Sequence, residues 1–426
     1  MTSTVDATPS SRVATPVAEL GQRAKAASRA LAAATTEQKN AALLAGADAL
    51  VASTDVILAA NAIDVANAEA NGIGAGLVDR LRLDGARIEA MASGLRQVAE
   101  LPDPVGEVTE EWTRPNGLHM QKRRVPLGVV AIIYESRPNV TSDAAGLCLK
   151  SGNVGFLRGS GSAINSNLAI AGVLRPAFAS AGLPEDALVV VDDISREVAV
   201  EFMQLREYVD CLIPRGGPAL IQSILDNATV PFIVDGAGNC HVYVDGAADL
   251  AMAEEIVVNG KVQRPSVCNA VESLVVHRAV ADTFLPQISA ALSGVELVGD
   301  DAARAVVPSI GPADDEDFAT EYLELKMSVK VVDSIDDAID HINATSTGHS
   351  EAIVTTDDTA AERFTNEVDA AAVLVNASTR FVDGEEFGFG AEIGISTQKL
   401  HARGPMGLRQ LTTEKYVVHG TGQTRG

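Results

Sequence analysis

Positive charge is scarce in this sequence. Lys and Arg total 33 against 57 Asp and Glu, a formal charge of −24. That argues against nucleic-acid and anionic-membrane partners, because both need a net cationic face. An anionic ligand would have to be met by a local nest of Arg, Lys or backbone N–H groups. Long apolar runs are missing too: no uninterrupted stretch approaches the length of a membrane span, about 18 residues. The opening "MTSTVDATPSSRVATP" has no apolar export core and reads as a polar lead-in through Pro16. The four cysteines, Cys148, Cys211, Cys240 and Cys268, show no CxxC spacing. Together these features predict reduced thiols and a cytoplasmic location. The seven histidines form no HxxxH or HExxH arrangement, so no metal site is expected. Walker A, GxSxG and GxGxxG patterns are all absent.

With 426 residues, of which 46% are hydrophobic, the chain can bury two substantial cores. Val17 to about Val98 is Ala-rich with apolar residues at helical spacing, which predicts a bundle of helices. Residues 106–126 form two polar, extended arms around "RPNG", a hairpin signal. Short apolar runs then alternate with helical segments: "LGVVAII", "NVGFLR", "ALVVV", "VDCLIP" and "VPFIV". Such alternation predicts a parallel sheet covered on both faces, with ligands at the carboxyl ends of its strands. A second series follows in "HVYVD", "AVESLVVH", "SVKVVD", "EAIVTT" and "AAVLVNA", predicting a second α/β domain joined through a hinge at "DGAGNC". The closing "QLTTEKYVVHG" reads as an exposed strand placed to pair with the hairpin.

Cys268 stands in "VQRPSVCNAVESLVVH", at the mouth of an apolar run rather than inside it. Position alone is equally compatible with an inert core thiol and a reactive one. Arg264, four residues earlier, favours thiolate, the reactive form. Cys148 and Cys211 lie within apolar segments and read as core; Cys240, at the hinge, is ambiguous. Three strand-to-helix junctions carry "ESRPNVTSDAA", "RGSGSA" and "PRGGPA". Gly-rich turns at helix N-termini can cradle phosphate through backbone N–H groups, and two Arg-Gly junctions on one sheet edge favour a phosphate-rich ligand.

The segments "YESRPNVT", "CLIPRGG", "GNCHVYVD", "QRPSVCNA", "TGHSEAIVT", "VNASTRF", "FGFGAEIGIS" and "KLHARGPMGL" occur in an order that resembles the aldehyde dehydrogenase superfamily, in particular its members that reduce an acyl phosphate of glutamate. The resemblance runs from about Val17 onward. It implies an aldehyde dehydrogenase-like α/β fold with an NADP-binding domain (1–105 and 127–236), a catalytic domain (237–405) and an oligomerisation β-flap (106–126 and 406–426). The implied reaction is reduction of L-glutamyl 5-phosphate by NADPH to L-glutamate 5-semialdehyde and phosphate, the second step from glutamate to proline.

By the same resemblance, Cys268 is the nucleophile and Asn139 helps to hold the oxyanion; Asn139 also reads as a helix N-cap. Arg158 with Gly159, the loop Pro214, Arg215, Gly216 and Gly217, and Glu321 are implied to hold NADP(H). Arg at position 158 suits a 2′-phosphate, because its planar fork can pair bidentately. Ser162 replaces an acid common nearby in the family, and Asp235 stands where relatives carry a hinge Glu. Arg137, Arg264 and Arg380 are the cations offered to the substrate's phosphate and α-carboxylate. A homo-oligomer is expected, and association with the glutamate 5-kinase that makes the labile substrate is left open. Two other functions compete: a different acylating or NADP-dependent aldehyde dehydrogenase, and a non-catalytic NADP-binding thiol sensor. The sensor would need a second thiol beside Cys268, for which only Cys240 offers itself.

Overall fold

A computed structural model describes residues 14–234 and 236–425; most of the expected lead-in, and Asp235, lie outside them. The chain divides into two compact units. One is drawn from the residues before Ile233 and from Glu414 onward, the other is Ile233–Thr413.

The first unit begins with five helices: α1 (Val17–Ala32), α2 (Thr36–Ala52), α3 (Thr54–Ala70), α4 (Ala75–Leu81) and α5 (Gly85–Glu100). Their apolar positions recur at helical spacing, and Leu20, Leu43, Leu50, Ile88 and Leu95 are buried. Helix α2 starts in a capping box, Thr35 Oγ1 accepting the Gln38 N–H while Gln38 Oε1 accepts the Thr35 N–H. The expected hairpin forms strands β1 (Val108–Thr113) and β2 (His119–Pro126), which pair antiparallel. Gly117 closes its turn at φ +84°, a left-handed conformation suited to glycine. The tail strand β16 (Thr412–His419) adds to the other edge of β2, and Trp112 meets Tyr416 edge-on across this small sheet.

The main sheet of this unit holds β3 (Val129–Tyr134), β4 (Val154–Gly159), β5 (Leu188–Val190) and β6 (Cys211–Arg215), parallel and in the order β5-β4-β3-β6. Every residue of β3 is buried, which is why its run is apolar throughout rather than alternating. Helices α6 (Asn139–Lys150), α7 (Ile164–Ser180) and α8 (Arg196–Met203) make the crossovers, and α9 (Pro218–Asn227) follows β6. The chain winds outward from β3 to β5 and returns on the other side of β3. The strand order therefore reverses between β3 and β6, and parallel sheets take ligands outside the carboxyl ends of their strands at such a point. The expected fifth strand, "VPFIV", makes only a single bridge from Phe232 to Leu212. Pro231 accepts a hydrogen bond from Leu212 N–H at 2.8 Å but has no N–H to return, so the ladder stops.

The second unit is a parallel sheet of seven strands in the order β10-β9-β11-β8-β7-β12-β13. The strands are β7 (Cys240–Val244), β8 (Val271–His277), β9 (Glu296–Gly299), β10 (Gly311–Pro312), β11 (Lys326–Val332), β12 (Ser350–Val354) and β13 (Ala372–Val375). Helices α10 (Leu250–Val262), α11 (Arg278–Ala291), α12 (Asp301–Val306), α13 (Ile335–Thr345) and α14 (Asp358–Glu367) connect them, and β14 (Ile395–Ser396) pairs with β15 (Gly404–Pro405). Successive strand residues serve opposite faces: Val242, Leu274 and Ala352 enter one core with Phe284, while Tyr243, Val275 and Ile353 enter another with Phe364. Strands β9 and β10 are additions to the sequence reading; four and two residues are too short to signal themselves. Among the described residues, no single helix is long and apolar enough to cross a membrane.

Candidate active site

Helix α10 ends at Val262, and residues 263–270 carry the chain into β8. This loop is tied from several sides. Asn269 Nδ2 donates to the Val382 carbonyl at 3.0 Å, and Thr379 Oγ1 donates to the Asn269 carbonyl at 2.6 Å. The backbone of Gly238 runs directly against Cys268: a Cβ there would sit 1.5 Å from the Cys268 carbonyl oxygen, so only glycine fits. Cys268 itself is half-buried, whereas Cys148, Cys211 and Cys240 are buried. Burial pushes the Cys148 and Cys211 thiols up to about 12, and pushes Cys240 well above its ordinary value. Burial thus favours the thiol form of these three, and Cys268 is the cysteine of the four that is not fully buried.

Cys240 uses its proton. Its Sγ donates to the Cys268 carbonyl at 3.2 Å and lies 3.8 Å from His349 Nδ1. A sensing partner would need to form thiolate easily, and this environment opposes that.

Two expected cations converge on the same loop. Arg380 Nε donates to Gln263 Oε1 at 2.8 Å. Burial holds its guanidinium below the ordinary value, the nearby charge of Arg264 adds to the effect, and the Cys268 sulfur works against it. Arg264 is exposed. Glu321 Oε1 accepts the Gly238 N–H at 2.7 Å, so it buttresses the strip that packs on Cys268.

Beneath this loop lies a polar layer that the sequence reading passed over. Lys261 on α10 and Glu272 on β8 are fully buried and pair at 2.5 Å, and Glu272 Oε1 also accepts the Leu323 N–H at 3.2 Å. Burial drives the Glu272 carboxyl up and the Lys261 ammonium down. His241 Nδ1 lies 2.9 Å from Glu351 Oε2, both without exposure. The signal was present: a Glu inside "VESLVV" and a Lys inside "IVVNGKV" interrupt apolar runs, and charges there must have partners.

In the first unit the remaining site residues collect at the carboxyl edge of the sheet. Arg137, exposed, lies in the turn from β3 to α6. Asn139 opens α6 but is not its N-cap; that position is Pro138. The Asn139 amide instead donates from Nδ2 to Asp143 Oδ2 at 2.9 Å. Arg158, near the end of β4, donates from Nη2 to the carbonyls of Ile194 and Ser195 at 3.0 and 2.8 Å. Its Nε is buried without a hydrogen-bond partner, and burial lowers its guanidinium. Gly159 ends β4, where Ser160, Ser162 and Ser136 form a hydroxyl cluster at 2.6 and 2.7 Å.

Pro214 and Arg215 end β6, and Gly216 and Gly217 lead into α9. Gly217 caps that ten-residue helix with Pro218 behind it. Its N–H meets Glu135 Oε2 at 3.2 Å, and a Cβ on it would touch nothing within 4 Å. A partly buried Arg and a hydroxyl cluster at this edge suit the phosphates and ribose of a dinucleotide, while the N-terminus of α9 is met by the Glu135 carboxylate. Among the described residues, no group of three or more His, Cys, Asp or Glu is placed to hold a metal ion.

The model of the aldehyde dehydrogenase family matches residues 2–325 and 327–417. The chain is 56% identical over 406 residues to the gamma-glutamyl phosphate reductase of Caldanaerobacter subterraneus subsp. tengcongensis, covering 95% of this chain and 98% of that one. It is 57% identical over 407 residues to the gamma-glutamyl phosphate reductase of Heliobacterium modesticaldum, with the same coverage. The crystal structure of gamma-glutamyl phosphate reductase from Thermotoga maritima superposes with a TM-score of 0.95 at 48% identity, covering 97% of this chain and 100% of that chain. With the family pattern spanning nearly every residue, the chain belongs to the aldehyde dehydrogenase family.

Proposed function

We propose that the protein reduces L-glutamyl 5-phosphate to L-glutamate 5-semialdehyde and phosphate through a thioester on Cys268, the second step from glutamate to proline. The observation that carries this reading is the half-buried Cys268 on a loop that carries Arg264 and is met by Arg380, in a chain 56% identical to a gamma-glutamyl phosphate reductase. The thiolate attacks the acyl carbon, the carbon–oxygen bond to phosphorus breaks, and phosphate leaves with the electron pair. Asn139, by family position, donates to the oxygen that becomes negative. NADPH, which Arg158, Gly159, the loop Pro214 to Gly217 and Glu321 would hold, would supply when bound the hydride that takes the thioester to the aldehyde level. Cys268 then departs as thiolate, which restores the starting state.

Residues 1–105 and 127–236 serve as the cofactor domain in this reading, 237–405 as the domain of the nucleophile, and 106–126 with 406–426 as a flap joining copies of the chain in the cytoplasm. The reading is tested in the reverse direction, with glutamate 5-semialdehyde, NADP and phosphate. NADPH should form only when phosphate is present. Turnover without phosphate, or with coenzyme A in its place, would overturn it in favour of another aldehyde dehydrogenase.

The cofactor's 2′-phosphate brings negative charge to a protein already at −24, and in this reading Arg158 offsets it. Arg158→Ala should weaken NADPH by roughly 10- to 100-fold and NADH by less than about threefold, the range expected for a charge-assisted hydrogen bond. Equal losses for both cofactors would place 2′-phosphate recognition elsewhere.

The leaving phosphate needs a cation beside the thiol. Arg264 is exposed, whereas Arg380 is held by Gln263. Arg264→Ala should therefore raise the KM for phosphate in the reverse assay by about 10-fold, with little change in the KM for NADP. An unchanged phosphate dependence would transfer the role to Arg380 or Arg137.

A further inference from the structure

We infer that Asp143 is a positioning residue, which fixes the side-chain amide of Asn139 with its NH2 end presented to the reacting oxygen. This rests on the oxyanion role proposed for Asn139. An asparagine amide is nearly symmetric in shape but not in function: a half-turn about its last bond exchanges a donor for an acceptor. In the wrong orientation a carbonyl oxygen would face a developing negative charge and raise the barrier instead of lowering it. Something must select the orientation before the reaction begins.

Asp143 stands one helical turn beyond Asn139, on the same face of α6. Its Oδ2 accepts from Asn139 Nδ2 at 2.9 Å. A carboxylate only accepts, so the reversed amide would set oxygen against oxygen and is disfavoured. One N–H of the amide is thereby held by Asp143, and the second is left for the substrate. The backbone is gripped from the same turn: Ser142 Oγ donates to the Asn139 carbonyl at 2.8 Å. Asn139 is thus restrained at both its side chain and its main chain by the two residues that follow one turn on. A purely local role, stapling the first turn of α6, would affect stability slightly and chemistry not at all.

The test is a set of variants of the full chain, assayed in the reverse direction with melting temperature and NADPH affinity as controls. Asn139→Ala should lower kcat by about 100- to 1000-fold, as for loss of one oxyanion donor. Asp143→Ala should lower kcat by about 10- to 100-fold, with the KM for NADP and the melting temperature little changed. Asp143→Asn keeps an accepting oxygen but can also turn its own NH2 toward a reversed Asn139, so it selects the orientation less and should recover kcat only in part, to about 3- to 10-fold below the parent. In an Asn139→Ala background, Asp143→Ala should cost nothing further, because the group it orients is gone. Unchanged kcat in Asp143→Ala, or an undiminished loss in the Asn139→Ala background, would overturn the inference while leaving the oxyanion role intact. Full kcat in Asn139→Ala would instead overturn the oxyanion role, and the positioning role with it.

Discussion

Cys268→Ala is expected to lower reductase turnover by at least about 1000-fold while leaving NADPH affinity within about twofold of the parent. The size follows from the chemistry. Without the sulfur no covalent acyl species can form, and hydride must be delivered to an acyl phosphate that no group of the protein has activated. No other thiol can substitute, because Cys148, Cys211 and Cys240 are buried, and burial keeps them protonated. Binding should survive, since the loss is a single sulfur atom on a half-buried loop whose backbone ties come from Asn269 and Thr379. Steady-state turnover and a fluorescence titration with NADPH on the same preparation decide the matter. A variant that kept even a tenth of the parent rate would rule out the thioester route. Cys148→Ala and Cys211→Ala supply the contrast: they leave cavities in the first unit's core, so they should lower stability more than rate.

The second large effect concerns stability. Lys261→Ala should destabilise the Ile233–Thr413 unit by about 3–5 kcal/mol, because removing one member of a buried pair leaves the other charge without compensation. That is a substantial fraction of the 5–15 kcal/mol that usually holds a domain together. Glu272 would be left fully buried, with the Leu323 N–H as its remaining hydrogen-bond partner. Protonation, toward which burial already pushes its carboxyl, would recover only part of the loss. The double variant Lys261→Met with Glu272→Leu should regain most of it, since replacing both charges by apolar groups of similar volume is often nearly neutral. Denaturant midpoints for the parent, the single and the double variant distinguish the cases. A single variant as stable as the parent would mean that water or another group already serves the Glu272 carboxylate.

Much of this architecture is legible along the chain, and the parts that are not share a cause. The helices before Glu100 announce themselves through apolar spacing, and β3 and β8 through continuous buried runs bounded by polar turns. The polar "TTEKYVVHG" read as a strand seeking a partner, and it lies beside β2. What stays hidden is which elements meet. Nothing local tells that Arg380, on a short turn after β13, comes to the loop of Cys268; the order of a parallel sheet makes that contact, and order is not a property of any one segment. The Asn139 side chain is a similar case. Its position at the start of a helix suggested a cap, but a shift of one residue places Pro138 there and frees the amide to reach Asp143. Strand β9 failed to register because four residues contain too little alternation to separate from a loop. The Lys261–Glu272 pair was readable one charge at a time, as two anomalies in apolar runs, but not as a pair.

The small sheet of β1, β2 and β16 joins segments made at very different moments of synthesis. Both arms of the hairpin leave the ribosome before any of the Ile233–Thr413 unit exists, and the strand that covers the free edge of β2 leaves after all of it. During that interval β2 offers an unpaired row of backbone groups, the kind of edge on which chains aggregate. Its own composition restrains the hazard: "HMQKRRVP" carries three consecutive cations, and like charges on neighbouring copies resist edge-to-edge pairing. Once β16 arrives, Glu414 pairs with Lys122 at 3.0 Å and accepts from Thr109 at 2.6 Å. The charges that keep nascent chains apart thus become the contacts that seat the final strand.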